Sequence, residues 1–137
     1  MWLTDEEKQR HLRNLNYAKF DPDISIDKEF IPYLTRLNRI PWLVSIQSCS
    51  GHIMRNNEKC GHLGFRVKEP YFIGVVKICH DFMVNRLFKD ASASIEIPYV
   101  CLNVWFSHHC FPYVVEKFVE CLEQLDYERM NNENQLQ

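Results

Sequence analysis

The chain has 137 residues, 46% hydrophobic and 13% aromatic, with 25% charged residues and a formal net charge of -2. That length allows one compact domain with a real core and is too short for two. The balanced charge supplies no overall basic field, so nucleic-acid binding has to rest on a local patch, and no apolar run approaches the roughly 20 residues a membrane-spanning helix needs.

Thr4 followed by Glu7 forms a capping box, and Asp5 and Glu6 suit a helix N-terminus. They predict a helix over about residues 5–19. Its apolar content is thin (Leu12, Leu15 and Tyr17), which predicts a surface position. Arg10, His11, Arg13 and Lys19 make it locally basic, which reads as a solvated face rather than a nucleic-acid contact. Asp21-Pro22-Asp23 is a turn. Asp27 caps a second helix, about residues 28–38, with Phe30, Ile31, Leu34 and Leu37 at helical spacing. Pro32 confines its regular hydrogen bonding to the later turns, and Asn38-Arg39-Ile40-Pro41 ends it.

Trp42 to Ser48 reads as a strand that stops in the small residues Ser48-Cys49-Ser50-Gly51, predicted to turn sharply and to let a ligand approach the main chain. Cys49 then sits at the carboxyl end of the strand, where open sheets place their chemistry. Alternation puts Val44, Ile46 and Ser48 on one face and Leu43, Ser45, Gln47 and Cys49 on the other. A polar loop over residues 54–59 follows. A second strand, Gly61 to Lys68, sets Leu63, Phe65 and Val67 against His62, Gly64 and Arg66. The two strands are predicted to pair as an antiparallel hairpin. With their polar faces together, Gln47, Cys49, His62 and Arg66 look across one surface, and Gly64 leaves space.

Pro70 opens a predicted helix over about residues 70–88, in which Phe72, Val75, Val76, Cys79, Met83 and Leu87 recur at helical spacing. Gly74 leaves a strand over residues 71–78 as the alternative. Cys79 reads as a core cysteine. Ala91-Ser92-Ala93-Ser94 reads as a loop. Ile95 to Ser107 is strand-like, with Pro98 marking an edge or a bulge. Val100, Leu102, Val104 and Phe106 share one face, and Cys101, Asn103, Trp105 and Ser107 the other. His108-His109-Cys110 leads into a helix over about residues 110–128, whose inward stripe is Phe111, Val114, Val115, Phe118, Cys121, Leu122 and Leu125. Residues 131–137 form a polar tail expected to fray. The order helix-helix-strand-strand-helix-strand-helix predicts a single α+β domain, an antiparallel sheet packed with helices. Six cysteines behind a polar N-terminus fit reduced thiols in the cytoplasm.

Ile46-Gln47-Ser48-Cys49-Ser50-Gly51-His52 resembles the tRNA wybutosine-synthesizing protein 3 family, S-adenosylmethionine-dependent methyltransferases that act on a tricyclic guanosine derivative in phenylalanine tRNA. That family carries a strand ending in Thr-Ser-Ser-Cys-Ser-Gly-Arg. The match is Ser48-Cys49-Ser50-Gly51, and the resemblance covers residues 27 to about 125. Gln47 stands where the family has Ser or Thr, and His52 replaces its arginine, changing charge and bidentate capacity. The resemblance implies an α+β sheet with the motif in a cleft, S-adenosylmethionine as cofactor, and tRNA or a nucleotide as partner. On that basis the backbone and hydroxyls around Ser48, Cys49, Ser50 and Gly51 hold a polar part of the ligand. His52, His62 and Arg66 bind an anionic or nucleotide group, Asn103 reaches in from the neighbouring strand, and Trp105 stacks on a base.

Two other chemistries are open to the same residues. Cys49-x2-His52 followed by Cys60-x-His62 supplies four zinc ligands by type, separated by a short loop. Cys49 with His52 or His62 is a candidate nucleophile and base, although spacing reveals no acidic residue to orient the histidine. A small non-enzymatic binding or regulatory protein needs none of these groups, so catalytic residues stay unassigned.

Overall fold

The computed structural model describes residues 2–18, 28–53, 59–96 and 99–135. Helix α1 (Asp5–Ala18) is followed by a 3-10 turn, Lys28–Phe30, that runs into α2 (Ile31–Arg39). Strands β1 (Leu43–Ile53) and β2 (Lys59–Val67) come next, then a 3-10 turn at Glu69–Tyr71 and helix α3 (Phe72–Val84). Strands β3 (Asp90–Glu96) and β4 (Tyr99–Ser107) precede a 3-10 turn at His108–Cys110 and helix α4 (Tyr113–Gln135). The strands form one antiparallel sheet in the order β1-β2-β4-β3. This is the predicted α+β architecture with one strand more.

The extra strand corrects two expectations. Ala91–Ser94, read as a loop, belongs to β3, and the strand-like segment from Ile95 to Ser107 divides into the two arms of a hairpin. An Ala-Ser run has no apolar alternation to announce it, and as an edge strand it needs none, because only one side of it pairs. Residues 97 and 98 of the connection, Pro98 among them, lie outside the described residues, as do the turn at Asp21-Pro22-Asp23 and the cap at Asp27. Helix α3 settles the alternative at Gly74 in favour of a helix. Helix α4 runs past its predicted end near residue 128 to Gln135, through most of the expected tail.

One face of the sheet carries the core. Leu63, Phe65 and Val67 of β2 and Leu102, Val104 and Phe106 of β4 pack with Leu34 and Leu37 of α2, Val75 and Phe82 of α3, and Val115, Phe118 and Leu122 of α4. Aromatic rings fill its centre: Phe118 lies edge-on to Phe82 at 5.5 Å and to Phe88 at 5.0 Å between ring centroids. Such pairs add about 0.5–1.5 kcal/mol each beyond area burial. The missing side chain of Gly61 makes room for one of these rings, since a Cβ there would lie 2.2 Å from Cε2 of Phe106.

Local signals explain how α1 and α2 are attached. Thr4 Oγ1 accepts the Glu7 amide at 3.2 Å, the first half of the predicted capping box. The Glu7 carboxylate pairs with Arg66 of β2. Lys8, on a helix expected to lie on the surface, is buried at 6% exposure. Its ammonium donates to the carbonyls of Asn38, Ile40 and Leu43, so it caps the end of α2 and the start of β1 together. Asn38 closes the same corner: Nδ2 donates to Ser45 Oγ at 2.8 Å, and Oδ1 accepts the Ser45 amide at 3.0 Å. Arg36 joins α2 to α4 through Glu116 at 2.7 Å and Glu123 at 2.5 Å.

Candidate functional site

The face of the sheet opposite the core is polar because β2 and β4 alternate. His62 on β2 and Cys101, Asn103 and Trp105 on β4 are half-buried between the core positions of their strands, and Arg66, on the same face of β2 as His62, is itself buried. The backbone register sets the neighbours: His62 lies opposite Trp105, and Gly64 opposite Asn103. On the other side of β2, His62 lies opposite Cys49 and Gly64 opposite Gln47. Cys49, His62 and Trp105 thus form one row across three strands.

β1 does not end at Ser48-Cys49-Ser50-Gly51 as expected. The strand runs on to Ile53, and the small residues sit inside it at a register break between Cys49 and His52. Two residues, Ser50 and Gly51, there oppose Gly61 alone, which is a bulge rather than a terminal turn. A second break falls between Ser45 and Gln47. It splits the predicted face of β1: Leu43 and Ser45 pair with Val67 and Phe65, whereas Gln47 and Cys49 pair with Gly64 and His62. Ile46 is the extra residue and is 37% exposed. The side chains of Gln47, Ser48, Cys49, Ser50 and His52 lie outside the described residues. Their backbone places Cys49 opposite His62 and His52 opposite Cys60.

His62 is held from two sides. Its Nε2–H donates to Asn103 Oδ1 at 2.9 Å, and its ring stacks on Trp105 with centroids 4.9 Å apart and planes 24° from parallel. An amide oxygen at Nε2 selects the tautomer that leaves Nδ1 as the acceptor. His62, Asn103 and Trp105 are all half-buried, so the cluster is formed without being sealed. Cys60, two residues before His62, is 5% exposed.

Arg66 is placed differently from an open anion site. Its guanidinium is 3% exposed, paired with Glu7 and stacked over the Tyr99 ring at 4.3 Å. The fold itself neutralises its charge, and an anionic ligand has to displace the Glu7 carboxylate to reach it. His11 of α1 lies near this pair. Burial and the charge of Arg66 hold its imidazole below the usual histidine range, opposed by Glu7 and reinforced by Arg10. Neither Glu7 nor His11 was foreseen as a neighbour of this face, because nothing in the local pattern of α1 points to β2.

The remaining thiols and imidazoles are dispersed. Burial pushes the Cys79 thiol up to about 12, which suits the inert core cysteine predicted. His108 and His109 are exposed and Cys110 is half-buried. Among the described residues no group of three His, Cys, Asp or Glu side chains is arranged to hold a metal. A cavity of about 270 Å³ opens between α3 and β3, lined by Val76, Cys79, His80, Met83, Ala91 and Leu102 among others. Its lining is mostly apolar, and it includes Ser92 and Asn103, the latter a residue that the sequence assigned to the ligand site. Among the described residues no helix is long and apolar enough to cross a membrane.

No family model and no curated protein matches the chain. Among solved structures, the PH1069 protein from Pyrococcus horikoshii is similar, with a TM-score of 0.55 and 16% identity, over 90% of this chain and 94% of that one. At that identity the likeness is one of fold, and it extends across nearly the whole of both chains.

Proposed function

We propose that the polar face of the sheet is a nucleotide-ligand site of the wybutosine-synthesizing protein 3 type, taking S-adenosylmethionine and a base of tRNA in a reducing, cytoplasmic setting. The observation that carries this reading is the row Cys49, His62, Trp105. It sets the backbone of the Ser-Cys-Ser-Gly bulge one strand away from an oriented imidazole stacked on an indole. Small residues at a bulge let a ligand approach main-chain donors, and an aromatic platform beside them suits a flat base, with stacking worth about 1–3 kcal/mol per base. Methyl transfer needs an acceptor aligned with the donor carbon more than it needs an acid or a base. That agrees with a face that offers Asn103, His62 and Trp105 for positioning. Among the described residues, Cys60, Cys79, Cys101, Cys110 and Cys121 form no disulfide.

Calorimetry with S-adenosylmethionine and a gel shift with bulk tRNA at moderate salt test the reading. We expect heat from the first and a retarded band in the second, the band weakened by Trp105→Ala. Heat without methyl transfer to tRNA would reduce the chain to a non-enzymatic binding relative. Absence of both heat and shift would remove the proposal.

A further inference from the structure

We infer that α1 is a releasable strap over the ligand face of the sheet, its Glu7 carboxylate holding Arg66 until a phosphate group takes that place. The inference rests on the nucleotide-site reading above and concerns the regulation of that site. Arg66 shares its face of β2 with His62 by alternation. It is nevertheless 3% exposed, which closes it to solutes while α1 is in place. Its guanidinium lies over the Tyr99 ring at 4.3 Å and pairs with the Glu7 carboxylate. Tyr99 belongs to β4, so that support stays when α1 leaves. The fork keeps its orientation, and a phosphate meets a guanidinium with the same paired-oxygen geometry as a carboxylate.

The attachment of α1 is of a kind that can be undone. None of its described residues belongs to the core cluster. Its ties are polar: Asp5 to Lys68, Glu7 to Arg66, and Lys8 to the carbonyls of Asn38, Ile40 and Leu43. The first pair is at the surface, where ion pairs add little. Burial pulls the Lys8 ammonium down to about 8, so desolvation offsets much of what its three bonds contribute. That leaves the Glu7–Arg66 pair as the tie that a competing anion breaks. Ahead of the helix, the Leu3 amide donates to the Val67 carbonyl at 3.1 Å and Trp2 packs on Phe72, which tethers the strap at one end. Four residues of β2 separate Arg66 from the His62–Trp105 stack, about 13 Å, more than separates a base from its own phosphate. The releasing group is thus the phosphodiester of a neighbouring nucleotide in an RNA strand. A base stacked on Trp105 presents it at high effective concentration. S-adenosylmethionine, which has no phosphate, leaves the strap closed.

The test is hydrogen–deuterium exchange of the full-length protein, read by mass spectrometry over residues 5–13. A 14-residue helix freed from its sheet is marginal in water, so release shows as faster exchange there. We expect millimolar inorganic pyrophosphate to speed exchange of this segment about 10-fold relative to sodium chloride of the same ionic strength. Bulk tRNA should do the same, and S-adenosylmethionine should not. Glu7→Gln, which keeps an acceptor oxygen and loses the charge, should bind pyrophosphate about 10-fold more tightly by calorimetry. Wild-type protein whose α1 exchanges no faster in pyrophosphate than in sodium chloride would overturn the strap without depending on the folding of any variant. Unchanged pyrophosphate affinity in Glu7→Gln would overturn the role of Glu7. The two proposals fail separately. Release by pyrophosphate with no tRNA gel shift removes the tRNA reading and keeps the strap, whereas a gel shift with α1 exchange unchanged removes the strap and keeps the reading.

Discussion

His62 on β2 and Asn103 on β4 meet across the sheet, the imidazole Nε2–H donating to the amide oxygen at 2.9 Å. The contact is diagonal, since in register His62 opposes Trp105 and Asn103 opposes Gly64. Gly64 has no side chain to stand between them. One bond thus fixes which imidazole nitrogen is free, and the stack on Trp105 fixes the plane in which it points. The imidazole is in this way held in one orientation on the face opposite the core, at the strand next to the bulged motif.

The ion pair between Glu7 and Arg66 ties α1 to that face. Removing one partner strands a charge that is 3% exposed. Glu7→Ala should cost about 3 kcal/mol, whereas Glu7→Leu combined with Arg66→Met should cost less than the sum of the single changes, because an apolar pair leaves no buried charge. Urea unfolding of the two singles and the double checks this. Additive losses would mean that the two side chains act independently.

Gly61 lies between Cys60 and His62, with the Phe106 ring where its side chain would be. Phe106 is 1% exposed and cannot swing out. Gly61→Ala should therefore destabilise by about 1–3 kcal/mol through overpacking. The fluorescence of the neighbouring Trp105 should change in the same variant. Unaltered stability would show that the ring is free to move.

Stability should fall as the solution is acidified below neutrality, and His11 should account for part of the fall. Its folded pKa lies below the ordinary value of 6.5, through burial and the charge of Arg66. The unfolded chain then binds the proton first. The stability that His11 contributes is complete above 6.5 and is lost as pH drops through its folded value. His11→Gln should flatten this part of the profile, as read from urea midpoints at intervals between neutral pH and mild acid. Parallel profiles for the two proteins would contradict the assignment.

Cys79 should resist alkylation in the native protein at neutral pH, its thiol being buried and pushed up to about 12. Half-buried Cys101, Cys110 and Cys121 should react sooner. Peptide mass spectrometry after a short iodoacetamide pulse separates them, and early labelling of Cys79 would mean that α3 does not pack as described.

Much of this fold was legible from periodicity. The stripe of α4 and the alternation of β2 and β4 face the core as their patterns demand, because burial on one side is what such patterns record. β1 was less legible: it holds two bulges, and each shifts the side-chain parity that alternation assumes. The Ala-Ser run of β3 is a strand because β4 is beside it, a tertiary cause with no local trace. The ion pair of Glu7 with Arg66 spans 59 residues, and the capping of α2 by Lys8 spans about 30. Distances of that kind cannot be read from spacing. For the candidate site, residue types were visible and their neighbours were not. His62, Asn103 and Trp105 share a face by alternation, but the bond and the stack that unite them follow from the β2–β4 register.

The most direct test of the account is the amide spectrum of isotopically labelled protein titrated with S-adenosylmethionine. Shifts concentrated in residues 47–52 of β1, at His62 and Gly64 of β2, and at Asn103 and the Trp105 indole are the predicted result. Unchanged resonances at millimolar nucleotide, or shifts confined to Val76, His80 and Met83 around the α3–β3 cavity, would contradict it.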